Sequence, residues 1–131
     1  MGMLTRFAGR SLLSGIFIYS GYGMFNNAER YAKLAADAIP MLPEEPMIPK
    51  AQGAAMLIAG SAMALGILPR LSARILILAM IGNTFVGHPF WKHANPEDRR
   101  PQLVHFFKNI GLIGGLLYIS GGVRTKVEQP D

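Results

Sequence analysis

The sequence predicts an all-α protein, a transmembrane four-helix bundle with both termini on the same side of the membrane. Three observations predict it. Half of the 131 residues are hydrophobic, only 16% are charged, and 15 are glycine. The apolar residues fall into long runs, and the lysines and arginines collect at the ends of those runs. Small residues recur inside them, as in transmembrane helices whose backbones approach closely. The length suits a single membrane domain, residues 1–131.

Composition also excludes classes of function. The net charge of +5 forms no basic stripe or cluster, so nucleic acid is not an expected partner. The chain has no cysteine, which removes disulfides, thiolate catalysis and iron-sulfur ligation. Arginines ahead of the first apolar run resemble a signal peptide, but no small-residue cleavage site follows, so the segment reads as a retained helix.

The first helix is expected at about residues 4–25. Its uninterrupted apolar part, 11–25, is shorter than the roughly 20 residues a bilayer demands, so the helix must extend back through Arg10 and Arg6. Both arginines can snorkel to the headgroups on a face shared with Leu13 and Ser14. The polar connection 26–50 holds a short amphipathic helix, Ala28 to Ile39, with Tyr31, Leu34, Ala35 and Ala38 on its apolar face. After it, Pro40, Pro43, Pro46 and Pro49 oppose helix.

Helices at about 51–68 and 71–87 follow, joined so tightly that they form an antiparallel hairpin. The first carries a small-residue stripe among Ala55, Ala59, Gly60, Ala62, Ala64 and Gly66. Pro89 ends the second, Trp91 reads as an interface anchor, and 94–101 reads as a charged loop. The last helix is expected at about 103–123. Four spans place Arg6, Arg10, Arg70, Arg74, Arg124 and Lys126 on the side of the termini against Arg30, Lys33, Lys50, Lys92, Arg99, Arg100 and Lys108 on the other; the count is nearly even, and the first group's closeness to helix ends makes the terminal side the expected cytoplasmic one.

The unusual polar chemistry gathers between Asn83 and Gly115, which include every histidine and the one tryptophan. Lys108, inside the last apolar run, is the leading site residue, because an ionisable group there is a functional hypothesis by default. It shares a helical face with His105, Gly111 and Gly115, so it is expected to face inward beside a close-packing glycine pair. There it would meet Asn83, Thr84, His88, the carbonyls freed near Pro89 or an acceptor such as a quinone oxygen; the alternative is that it snorkels to the loop. Asn109 bridges to a neighbouring helix. His88, His93 and His105 have no metal-ligand spacing, so no metal site is expected. No phosphate loop, nucleophile elbow or paired carboxylates within a span is visible, and no self-contained active site is expected.

The segments RFAGRSLLSGIFIYSG, GSAMALGILPRLSARILILAM, GHPFW and HFFKNIGLIGGLL, in that order and spacing, resemble the DoxX family of small four-helix bacterial membrane proteins. The resemblance implies a multi-pass protein of the bacterial cytoplasmic membrane, associated with redox processes and at most the membrane part of an oxidoreductase. It implies docking of a soluble redox partner or a larger membrane complex, and quinone as the candidate cofactor. The related DoxD family looks like the membrane part of a thiosulfate:quinone oxidoreductase. Residue by residue, the resemblance points to Arg10, Ser20, Gly21, Arg70, His88, Trp91, Lys108 and Asn109. Met24 stands where many relatives have lysine, and Ala54 and Ala55 where an acidic residue is frequent, so no proton relay carries over. The alternative function is a non-catalytic scaffold or accessory subunit of a larger membrane complex.

Overall fold

The computed structural model describes residues 2–122. Arg124, Lys126 and the expected polar tail lie outside the described residues. Those described form five α-helices, α1 Met3–Asn26, α2 Ala28–Ala38, α3 Met47–Leu65, α4 Pro69–Gly87 and α5 Pro96–Gly121, with a 3-10 turn at Phe90–Lys92 and no strand among them.

Local chemistry sets the boundaries. Asn27 ends α1 by donating from both its backbone N–H, at 3.0 Å, and its side-chain amide, at 2.9 Å, to the carbonyl of Gly23. On α2 the packed face runs through Tyr31, Ala32 and Ala35, whereas Leu34 points outward. The face expected through Leu34 is thus rotated, because the small Ala32 lets α2 lie close on its neighbours. Helix α3 starts at Met47, four residues earlier than expected. Pro49 sits in its first turn, where the backbone N–H has no intrahelical partner to lose. It ends at Gly66, whose φ of +76° allows the Ile67 N–H to close on the Ala62 carbonyl at 2.8 Å. Pro69 then opens α4 at a position that needs no donor.

Helix α5 begins at Pro96 rather than near residue 103. The Asn95 side chain accepts the Glu97 N–H at 3.1 Å, Pro96 occupies the first turn, and Glu97 and Asp98 face the positive end of the helix dipole. Charged residues read as a loop are therefore a helix start. Pro101 forfeits one hydrogen bond in the second turn without ending the helix.

Helix α1 packs on α3, α5 packs on α4, and the α3–α4 contact joins the two pairs; α2 lies across α3 and α4. Phe17, Met56, Met63, Leu76 and Leu116 are almost wholly buried where they meet. On α1 the buried residues Ser14, Phe17, Gly21 and Met24 recur every three or four positions, one face of a helix. That face meets α3 at backbone distance. A Cβ on Gly21 would sit 2.8 Å from the Gly53 carbonyl oxygen, and one on Gly53 would sit 2.7 Å from the Gly21 oxygen and the Phe25 nitrogen. Met24, where the resemblance expects lysine, is a core residue beside Gly53.

The close-packing pair expected at Gly111 and Gly115 is corrected by this arrangement. Gly111 is exposed with open space around its Cβ position, and Gly115 would meet only the Leu13 side chain, at an ordinary 3.6 Å. Among the described residues, two stretches are long and apolar enough to cross a membrane, Pro69–Lys92 and Pro96–Gly121.

Candidate functional site

The junction of α4 and α5 collects the side chains that composition singled out, although not in the expected arrangement. Asn109, not Lys108, faces inward. Its amide donates to the Thr84 hydroxyl at 3.1 Å, and that hydroxyl donates to the Met80 carbonyl at 2.7 Å. Both side chains are buried, so this chain of donors links α5 to α4 in surroundings where an unmade bond is costly. Lys108 is exposed, about 100° around the helix from Asn109. The expectation that it faces Asn83 or His88 from inside is thus overturned. The buried stripe of α5 contains Asn109 and Leu116, seven residues apart, and the glycines on the Lys108 face pack against little.

Asn83 joins a different cluster. Its carbonyl oxygen accepts from the Gln52 amide at 2.9 Å, Gln52 also reaches the Ala79 carbonyl at 3.2 Å, and the Asn83 amide lies 3.7 Å from the Met56 sulfur. Gln52 thereby satisfies the α3–α4 contact, a role no motif announces.

At the exit of α4 the His88 and His105 rings stack with centroids 4.7 Å apart and planes 17° from parallel. His88 Nδ1 lies 3.0 Å from Gln102 Oε1. With its oxygen toward the ring Gln102 accepts from a protonated Nδ1, and with the amide reversed it donates to Nδ1, so either His88 tautomer is held by this contact. His105 is exposed on the outer side of the pair. Gln102 was missed because it precedes the residue at which the last helix was expected to begin. Once α5 starts at Pro96, residues 102, 105 and 109 share a face, and the cluster becomes legible.

Trp91 is 48% exposed and stands against Phe85 and Phe90, with Phe106 of α5 against Phe90 at 5.0 Å. These rings pin the 3-10 turn onto α5, and the half-exposed indole fits a membrane interface. Ser20 is half-buried on α1 and Gly21 lies at the α1–α3 crossing. Arg10 and Arg70 are at the far end of the molecule from the histidines, lining a cavity with Arg6. No three of His, Asp and Glu come together among the described residues.

The buried Asn109 and the exposed Lys108 are separable by mutation. Asn109→Leu is expected to cost about 1–2 kcal/mol in reversible unfolding in mixed micelles, since it strands the Thr84 hydroxyl's incoming bond. Lys108→Met is expected to change stability by less than about 0.5 kcal/mol, as for other exposed positions.

Among the described residues the fold is all-helical, with two helices of membrane-spanning length meeting at a polar and aromatic junction. The DoxX family profile matches residues 5–89, well over half of the chain, and the chain belongs to the DoxX family. The match covers α1 to α4, so α5 lies beyond it. Neither the curated proteins nor the solved structures contain a match.

Proposed function

We propose that this DoxX-family protein is a four-span integral subunit of a redox-linked complex in a bacterial cytoplasmic membrane. It crosses the bilayer with α1, α3, α4 and α5 as one bundle, both termini cytoplasmic. It docks its partner protein through α5 and presents His88, Gln102 and His105 to a quinone head group. The stacked imidazole pair carries this reading. Two flat rings at a membrane edge offer a stacking surface, Nε2 of His88 and the exposed His105 ring offer polar contacts, and Lys108 adds a cation beside them. Phe90 and Phe106 supply an apolar wall nearby. Electron transfer itself belongs to the quinone and the partner, since this chain's residues supply binding and orientation.

The test is quinone retention. Protein purified in mild detergent is expected to carry quinone in its lipid extract, and His88→Ala with His105→Ala is expected to deplete it at unchanged fold. Absence of quinone from the wild-type extract, together with normal oxidant tolerance in a deletion strain, contradicts the proposal.

A second reading has its own observation. Only Asn109 and Leu116 are buried along the whole of α5, so most of that helix is available to lipid or to another subunit. A non-catalytic scaffold would use that face for assembly alone. Partner co-purification that survives the histidine substitutions but is lost on placing arginine at Ile110 or Leu117 favours the scaffold.

A further inference from the structure

We propose that the end of the molecule opposite the histidine pair holds a binding site for the phosphate of an anionic phospholipid, gripped by Arg10 and Arg70 in a cleft between α1 and α5. A cavity of about 490 Å³ opens there, lined by Arg6, Arg10 and Arg70 on its polar side and by Leu13, Tyr118 and Ile119 on its apolar side. Helices α1 and α5 are not among the closely packed pairs, which leaves room for an acyl chain along the apolar wall.

Both arginines lie against glycines that cap helices. The Arg10 guanidinium lies over Gly66, where a Cβ would come within 3.0 Å of its Nη2. The Arg70 guanidinium fills the space beside Gly122, at φ +69°, so closely that a Cβ there would be 2.6 Å from its Nε. The planar guanidinium fork matches phosphate oxygens. The Arg10 Nε–H is buried and has no hydrogen-bond partner among the described residues, and the same is true of the Ser14 hydroxyl one turn deeper. A buried donor without a partner, here on a half-buried arginine, calls for an acceptor.

Charge segregation names the sign of that acceptor. The carboxylates of the described residues, on Glu29, Asp37, Glu44, Glu45, Glu97 and Asp98, all belong to α2, the connection after it or the first turn of α5, at the other end of the molecule. A free anion would suit the arginines alone. A phospholipid suits both walls, with its phosphate at the arginines and a chain against Leu13, Tyr118 and Ile119.

Native mass spectrometry of the full chain in detergent, titrated with phosphatidylglycerol, diacylglycerol of the same chains, or glycerol phosphate, tests this. Phosphatidylglycerol is expected to stay bound where the other two do not. Arg10→Gln and Arg70→Gln are each expected to weaken it about tenfold or more, while Arg74→Gln, outside the cavity, keeps affinity within about twofold. Should Arg10→Gln fail to fold, the exposed Arg70→Lys serves, since it keeps the charge and loses the fork; it is expected to weaken binding. Equal retention of diacylglycerol, binding of glycerol phosphate as tight as that of the lipid, or an equal loss in Arg74→Gln overturns the proposal. So does a lowered melting temperature with unchanged lipid occupancy, which would reduce both arginines to caps on the carboxyl ends of α3 and α5.

Discussion

Gly53→Leu is expected to leave no folded protein in detergent. The position looks unremarkable in the sequence, yet in the fold its Cβ would lie 2.7 Å from two backbone atoms of α1, the Gly21 oxygen and the Phe25 nitrogen. Backbone cannot swing aside as a side chain can, so the helices would have to separate along the contact that unites them. Even Gly53→Ala is expected to cost about 1–3 kcal/mol, the range for overpacking a well-filled interior. Gly21→Ala should match it, because its Cβ meets the same crossing from the other side, 2.8 Å from the Gly53 oxygen. Gly111→Ala is the control, facing open space, and is expected to unfold like the parent. The measurement is unfolding in mixed micelles followed by circular dichroism. A Gly53→Ala variant as stable as Gly111→Ala would contradict the close crossing.

Phe17→Ala is expected to cost about 3–5 kcal/mol, the upper range for truncating a core side chain. Phe17 is 1% exposed and lies against α3, with its Cβ 3.5 Å from the Cβ position of Gly60. In a bilayer the loss is one of packing rather than of transfer from water, since lipid is as apolar as the core. The site is poorly able to relax. Backbone contact at Gly21 and Gly53, one turn along α1, already limits how far the helices can move together. Phe7→Ala, on the exposed side of the same helix, is the comparison, and it should change stability by less than about 0.5 kcal/mol. Equal effects at the two positions would place the buried face of α1 wrongly.

The helical class and the order of the helices were legible, because long apolar runs punctuated by proline and glycine leave few alternatives. The start of α5 was also written in the chain, as Asn95, Pro96, Glu97 and Asp98, but the charge of the segment outweighed its capping pattern. Which face turns inward was harder. Around Lys108, two glycines suggested close packing, yet Asn109 and Leu116 form the buried stripe, and periodicity alone assigns either face equally well. The crossing at Gly21 and Gly53 was invisible for a different reason. It depends on two residues 32 positions apart meeting, and nothing local distinguishes Gly53 from the exposed Gly111. The histidine cluster failed to emerge as a unit because Gln102, which lies 3.0 Å from His88 Nδ1, precedes the residue at which the last helix was expected to begin.

Membrane topology is the central claim, and the absence of native cysteine makes it directly measurable by single-cysteine labelling in intact cells. Thr5→Cys, Glu44→Cys, Leu68→Cys and Ala94→Cys are treated with a membrane-impermeant maleimide. Four spans with cytoplasmic termini require label at positions 44 and 94 and none at 5 and 68 until the cells are permeabilised. If only α4 and α5 cross the bilayer, position 44 stays on the side of 5 and 68. Protection of position 44 while position 94 is labelled would therefore contradict the four-span bundle.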